Sequence, residues 1–157
     1  MKFFFFHKNK YQLSFQKKWL KCSEECPLMK YHTNKDLVKD ISNIYKQSSN
    51  QSVDLEVKSL GKSMKDRDLW AFRIRKQNRN ETVDGLNPMV KLIGNMHGNE
   101  PTGRELLIHL IKYIIWARET LDKNQGTLKD NDTLLQRAAK ILETTDLWIV
   151  PSMNPDG

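Results

Sequence analysis

The chain has 157 residues, of which 38% are hydrophobic, seven are glycine and five are proline, and this composition excludes a wholly disordered protein. Its net charge of +7 comes mainly from residues 1–30, which hold seven lysines and two glutamates, whereas the remaining residues hold 19 basic and 17 acidic side chains. A nearly neutral remainder without a recognised motif argues against nucleic-acid binding, and no stretch approaches the ~20 apolar residues of a membrane span.

Residues 1–30 are predicted to be a basic, poorly ordered N-terminal extension. Phe3 to Phe6 suggest a secretory signal, but such a signal needs an apolar run of about 7 to 15 residues, and charged residues end this one early. We therefore recognise no convincing signal peptide. Cys22 and Cys26 lack the further ligands of a zinc knuckle, which leaves two free thiols or a local disulfide as the alternatives.

Hydrophobic periodicity divides residues 31–157 into alternating helices and strands. Thr33 or Asn34 can cap the first helix, and Met89–Ile93 is a short apolar run compatible with an interior strand. The predicted elements are, in chain order, a helix over 34–47, strands over 53–57, 69–74 and 89–93, a helix after Pro101, a helix capped by Asp132 and a strand over 147–150. The first two strands read as a hairpin, so we predict an α/β fold with a mixed sheet flanked by helices.

The most informative stretch joins the strand over 89–93 to the following helix through His97 and Glu100. Three-residue spacing at such a junction can bring an imidazole nitrogen and a carboxylate oxygen to one point, where Zn²⁺ accepts N and O ligands at about 2.0–2.2 Å. Pro101 suits the first helical position, so the helix is predicted to begin immediately after the carboxylate. Without further context, the favoured interpretation is a simply exposed histidine beside a carboxylate that stabilises the helix N-terminus.

Three other side chains near this pair are candidates for a role at the same site. His109 lies about two and a half turns beyond Glu100 on the predicted helix, so a shared metal would require the helix to unwind. Arg104 and Glu105 could orient the ligands from behind, or they could form an exposed charge pair on the helix. The sequence leaves both interpretations of Arg104 and Glu105 open.

Several short segments occur in an order typical of one enzyme family. They are Tyr31-His32, SLGKS at 59–63, RDLW at 67–70, GNMHGNEPTGRELL at 94–107 and WIVPSMNPDG at 148–157. Together they resemble the zinc metallocarboxypeptidases, specifically the regulatory branch that contains carboxypeptidases D, E, M and N. The resemblance spans roughly residues 31–157 and implies the N-terminal portion of a catalytic domain with a partial carboxypeptidase-like fold.

The resemblance implies a zinc-dependent exopeptidase that removes C-terminal residues, with the branch's preference for Lys or Arg, from peptides and proteins. His97 and Glu100 match the family's first two zinc ligands. The third histidine ligand, the glutamate base and the substrate-binding arginines would all lie beyond Gly157, so no catalytic residue is assigned. We therefore expect a truncated chain without peptidase activity of its own, whose sheet exposes one edge.

The resemblance also implies a location in the secretory pathway or outside the cell. Sequons at Asn50, Asn80 and Asn131 support this location mildly, as potential glycosylation sites. The alternative is a non-catalytic carboxypeptidase-like binding module. An inactive relative would be expected to have a complete domain with substituted ligands, whereas this chain keeps the ligand pair, which favours the enzyme hypothesis.

Overall fold

The structure is a computed structural model that describes residues 31–48, 52–79, 87–124 and 133–157. These residues belong to one compact unit, Tyr31–Gly157. Several sequence-based predictions concern residues outside the described ranges. They are the N-terminal extension with its two cysteines, the asparagines of the three sequons and the Asp132 cap. None of the helices in the described ranges is long and apolar enough to cross a membrane.

Three helices and four strands follow one another along the described part of the chain. They are α1 (Asn34–Gln47), β1 (Val53–Lys62), β2 (Asp68–Lys76), β3 (Met89–Ile93), α2 (Thr102–Lys123), α3 (Thr133–Thr144) and β4 (Asp146–Val150). A capping box starts α1, because the Thr33 hydroxyl accepts the Asp36 N–H and the Asp36 carboxylate accepts the Thr33 N–H. The predicted cap at Thr33 is thus confirmed.

The four strands form one sheet in the order β1-β2-β4-β3. The hairpin strands β1 and β2 are antiparallel, β4 is antiparallel to β2, and β3 is parallel to β4. The predicted mixed sheet and the hairpin are therefore confirmed. Among the described strands, β3 is an edge strand and not an interior one, and its Met89 side chain is 72% exposed. A short apolar run does not distinguish an edge from an interior position, because both can be uniformly hydrophobic.

All three helices contribute to a core against one face of the sheet. On that face, Phe72 and Ile74 of β2 stand beside Ile149 and Leu147 of β4, as the strand register requires. The helices cover it with branched aliphatic side chains, namely Leu37, Ile41 and Ile44 of α1, Ile108, Ile111, Ile114 and Ile115 of α2, and Leu142 of α3. The core anchors α2 firmly, and α2 starts directly after the candidate metal ligands.

The parallel pair β3 and β4 places two loops at the same edge of the sheet. The ligand loop, residues 94–101, follows β3, and the turn segment, residues 151–157, follows β4. Residues beyond the carboxyl ends of parallel strands are the usual ligand-binding positions of α/β sheets. The candidate metal ligands therefore lie where this fold class binds ligands.

Candidate metal site and its supporting loops

His97 and Glu100 face each other on the solvent side of the ligand loop. The His97 Nδ1 and Glu100 Oε2 atoms are 3.4 Å apart, and the two side chains are 72% and 70% exposed. The Glu100 N–H also donates to the His97 carbonyl at 3.0 Å, which closes a tight turn just before α2. The two atoms that could bind a metal, His97 Nδ1 and Glu100 Oε2, are therefore exposed side by side just before the helix.

The spacing of these two atoms fits a shared zinc ion. Two ligands at about 2.0–2.1 Å from a tetrahedral metal are separated by about 3.3 Å. The observed Nδ1 to Oε2 distance of 3.4 Å is close to that value. Imidazole nitrogen and carboxylate oxygen are also ordinary zinc donors. In the described ranges, no group of three or more His, Cys, Asp or Glu side chains could hold a metal, so this pair alone would offer a metal two side chains.

Asn95 ties the ligand loop to the turn segment from inside the protein. Its side chain is almost fully buried, and its Nδ2 donates to Ser152 Oγ and to the Asn154 carbonyl, both at 2.8 Å. In return, the Asn154 N–H donates to the Asn95 carbonyl at 3.0 Å. The backbone of Asn95 is left-handed, with φ of 50°, a conformation that asparagine tolerates better than most residues.

The amide orientation of Asn95 follows from these contacts. A flipped amide would place its oxygen against the Asn154 carbonyl, so the nitrogen must face that group. The Oδ1 atom then finds no donor among the described residues although it is buried. Buried polar atoms without a protein partner are uncommon, and left-handed backbone in non-glycine residues is enriched at functional sites.

Glycines allow the two loops to touch through their backbones. A Cβ atom on Gly98 would lie 2.2 Å from the Gly157 Cα, and a Cβ on Gly94 would lie 2.9 Å from the Pro151 carbonyl oxygen. Neither position can therefore carry a side chain without moving a backbone. This contact fixes the ligand loop against the turn segment within one residue of His97.

The hairpin loop between β1 and β2, residues 63–67, holds the turn segment from the other side. The Asp156 carboxylate accepts hydrogen bonds from the Ser63 hydroxyl at 2.8 Å and from the Lys65 N–H at 2.9 Å. Desolvation raises the pKa of Asp156, but these hydrogen bonds and the charges of Arg67 and Lys65 outweigh it, so the pKa lies below its usual value. The carboxylate is therefore ionised and fixed at neutral pH.

Arg104 and Glu105 do not point toward the candidate metal ligands. The Arg104 guanidinium donates to the His32 carbonyl at 2.6 Å, and Glu105 accepts the His32 N–H at 3.0 Å while also contacting the ring Nδ1. Their side chains are only 11% and 16% exposed. Arg104 Nε also donates to Glu105 Oε1 at 3.1 Å, so the predicted charge pair forms, but it is largely buried and not exposed. Its contacts go to the segment before α1, more than 70 residues away in the sequence, and not to the candidate ligands.

His109 lies in the middle of α2, more than two turns beyond Glu100, as the sequence indicated. Desolvation and the nearby charge of Lys112 lower the pKa of His109, which favours the neutral ring. Its position on α2 keeps it away from the ligand loop.

Known proteins match both the sequence and the fold. A family model described as zinc carboxypeptidase matches residues 41–157. The carboxypeptidase N catalytic chain of Rattus norvegicus is 33% identical over 129 residues, covering 82% of this chain and 24% of that protein. Carboxypeptidase SOL1 of Arabidopsis thaliana is 36% identical over 127 residues, covering 81% and 22%. Carboxypeptidase M of Mus musculus is 34% identical over 110 residues, covering 70% and 21%. The chain thus spans less than a quarter of the length of these relatives.

Two solved structures share the fold at low sequence identity. Thrombin activatable fibrinolysis inhibitor superposes with a TM-score of 0.53 at 17% identity, covering 81% of this chain and 26% of that chain. A metallo-carboxypeptidase from Burkholderia cenocepacia gives a TM-score of 0.53 at 19% identity, covering 80% and 28%. The predicted carboxypeptidase-like fold is thereby confirmed. With the family match over most of its length and several relatives above 30% identity, this chain belongs to the zinc carboxypeptidase family.

Proposed function

We propose that the chain supplies two zinc ligands, His97 and Glu100, of a zinc-dependent exopeptidase that removes residues from the C-termini of peptides and proteins. The observation that carries the proposal is the exposure of both side chains, 72% and 70%, with the His97 Nδ1 and Glu100 Oε2 atoms held 3.4 Å apart and open to a ligand. Membership of the zinc carboxypeptidase family supports the reaction type. Because the chain spans less than a quarter of its relatives, the activity is proposed for the whole protein that contains it.

The roles of the two side chains follow from their chemistry. When bound, zinc would polarise the scissile carbonyl and lower the pKa of a water molecule. His97 would hold the ion through a neutral imidazole nitrogen, and the Glu100 carboxylate would supply negative charge. Catalytic zinc sites use three protein ligands, and among the described residues no third suitable side chain joins these two. The exposure of the pair leaves room for a further ligand and for a peptide.

Two finer features extend the proposal. We propose a preference for C-terminal Lys or Arg, and a location in the secretory pathway or outside the cell. The support for both is the similarity to carboxypeptidases D, M and N, the branch that the sequence segments resemble. The preference is a property of groups that receive the substrate side chain, and His97 and Glu100 have no part in it.

The non-catalytic binding module is not favoured. A module that had lost catalysis would be free to lose its metal donors or to displace them. This chain retains both donor types, and it holds their donor atoms at a distance that suits zinc.

The test uses the natural protein that contains these residues. We expect zinc-dependent release of arginine from a peptide ending in Arg, faster than release of phenylalanine from the same peptide ending in Phe. His97→Ala and Glu100→Gln should each lower kcat/KM by about 100-fold or more, because each removes electrostatic support for the reacting carbonyl. His109→Gln is the matched control, since His109 lies on α2 away from the loop, and it should leave kcat/KM within about twofold.

Several outcomes would contradict the proposal. Full activity in His97→Ala would exclude His97 as a zinc ligand. Release of phenylalanine at the same rate as arginine would contradict the basic preference while leaving the exopeptidase in place. Absence of any peptidase activity in the natural protein, with zinc bound, would favour the binding module.

A further inference from the structure

The β1–β2 hairpin loop makes four hydrogen bonds and one ion pair with the turn segment, across about 90 residues of sequence. Ser63 Oγ and the Lys65 N–H donate to the Asp156 carboxylate, as described above. Lys65 Nζ donates to the Asp156 carbonyl at 3.0 Å, and the Arg67 guanidinium donates to the Pro155 carbonyl at 2.6 Å. Arg67 also lies 3.7 Å from Asp156 Oδ1. One acidic side chain is therefore the centre of this contact.

The same turn segment also contacts the ligand loop. The Asn154 N–H and carbonyl both bond to Asn95, and the Gly157 backbone touches Gly98, the residue after His97. An unbroken series of contacts therefore runs from the hairpin loop through Asp156 to the backbone on both sides of His97. Each step is a hydrogen bond or a direct backbone contact.

The ligand side chains themselves have little packing to hold them in place. With about 70% of each side chain exposed, His97 and Glu100 owe their relative position mainly to the backbone beneath them. Metal sites lose 10- to 100-fold in affinity, roughly, when groups that orient the ligands are removed. A support that fixes this backbone should therefore influence the affinity for zinc.

We propose that Asp156 is a positioning residue for the His97 and Glu100 metal site, acting through the turn segment and held in place by the hairpin loop. The inference deepens the proposed function and rests on it for the metal, whereas the coupling between the loops can be measured without metal. Asp156 touches neither ligand, so its effect must travel through the Asn154 to Asn95 bonds and the Gly98 to Gly157 contact.

The experiment compares matched substitutions in the natural protein that contains these residues, the same protein used for the activity test above. Asp156→Asn removes the charge at the contact, and Asp66→Asn removes the same charge from the same hairpin loop. Ser63→Ala removes one donor to Asp156, and Ser59→Ala removes a hydroxyl that bonds within the hairpin. Should Asp156→Asn fail to fold, the Ser63→Ala and Ser59→Ala pair still provides the comparison.

Two readouts are needed. The first is amide hydrogen exchange of Glu100 and Asn154, whose N–H groups bond to His97 and Asn95, relative to exchange of the buried Ile149 amide. The second is the apparent Zn²⁺ affinity, followed by NMR of the His97 ring. Asp156→Asn should accelerate exchange of the two loop amides about tenfold and weaken zinc about tenfold, while Ile149 is unchanged. Asp66→Asn should change the exchange rates of the two loop amides and the affinity for zinc by less than about twofold.

The outcomes separate the two proposals. Equal exchange and equal affinity in Asp156→Asn and Asp66→Asn would overturn the positioning role. Acceleration at Ile149 equal to that at Glu100 would also overturn it, because it would show general destabilisation. If His97→Ala leaves zinc affinity unchanged while Asp156→Asn still loosens only the loop amides, the metal assignment fails and the coupling between the loops stands.

Discussion

Two histidine–glutamate pairs flank the start of α2, and they differ in nearly every physical respect. His97 and Glu100 are 3.4 Å apart and largely exposed, in the loop before the helix. His32 and Glu105 are also in contact, but their side chains are only 24% and 16% exposed. His32 Nε2 lies 3.2 Å from Asp40, so both of its ring nitrogens are engaged by carboxylates. The same two residue types are therefore open to a ligand in one place and enclosed by other side chains in the other.

The difference lies in which atoms remain open to a ligand. A metal needs a nitrogen lone pair and carboxylate oxygens that are open to it. In the His32 pair, Glu105 Oε1 already accepts a hydrogen bond from Arg104, and Asp40 Oδ2, which lies against the His32 ring, also binds the Lys112 ammonium. The His97 pair is held from below by backbone and faces solvent. Residue type and contact distance therefore do not identify a metal site without the surrounding hydrogen bonds.

The largest expected effect tests this division directly. Glu105→Ala should lower the free energy of unfolding by about 3 kcal/mol, because it leaves His32 and Arg104 partly buried without their carboxylate. It should leave Zn²⁺ affinity unchanged. Glu100→Ala, the same substitution five residues earlier, should do the reverse, with stability within about 0.5 kcal/mol of wild type. Urea unfolding and zinc titration of the two variants measure both quantities.

The distinction between the two pairs would be wrong if Glu105→Ala and Glu100→Ala had the same effects. If Glu105→Ala weakened zinc as strongly as Glu100→Ala, the two pairs would act as one site. If Glu100→Ala cost as much stability as Glu105→Ala, the exposed pair would be structural.

A smaller effect is expected at a third acidic group that serves structure alone. Asp146, at the start of β4, is buried and is bound by the guanidinium groups of Arg73 and Arg79. Desolvation raises the pKa of Asp146, but the hydrogen bonds from the two arginines outweigh it and hold the pKa below its usual value. Asp146→Asn keeps an acceptor and loses the charge, so it should lower the free energy of unfolding by about 2 kcal/mol at pH 7.

The pH dependence of that loss has a definite sign. Since the pKa of Asp146 is lower in the folded protein than the value of about 3.9 in the unfolded chain, the ionised carboxylate stabilises the fold above pH ~4. This contribution disappears as the pH falls from about 4 through the lowered pKa. The stability difference between wild type and Asp146→Asn should therefore shrink below pH ~4 in urea unfolding. A difference that is constant from pH 7 to the acid range would contradict the charged state assigned to Asp146.

Local sequence patterns were sufficient for the features that depend on neighbours in the chain. The Thr33 cap, the β1–β2 hairpin, the mixed sheet and the approach of His97 to Glu100 all depend on residues within one or two elements. Asn154 to Gly157 are also ordinary turn-forming residues, and the chain turns at Pro155 and Asp156. These features are set by periodicity, capping and turn residues, which a sequence displays directly.

Contacts between distant segments were not predictable in the same way. Nothing near Glu105 in the sequence indicates that it binds His32, 73 residues earlier, and nothing near Asp156 indicates its contact with Ser63. The position of β3 at the sheet edge likewise depends on the order of strands in space. Charged residues in a first helical turn and in a tight turn are usually solvated, so their burial becomes visible only when the packing is known.

The smallest expected change in the free energy of unfolding concerns the segment at residues 31–33, which precedes α1. Thr33 caps α1 and directly follows His32, so either the cap or the His32 contacts could anchor this segment. Thr33→Ala removes the hydroxyl that accepts the Asp36 N–H and should lower the free energy of unfolding by about 1 kcal/mol. Thr33→Ser is the matched control and should restore most of the loss, because serine also provides the acceptor. If the cap and the His32 contacts anchor the segment independently, the Thr33→Ala and Glu105→Ala losses should add within about 0.5 kcal/mol in the double variant. A double variant no less stable than Glu105→Ala alone would show instead that the cap forms only when the His32 contacts are intact.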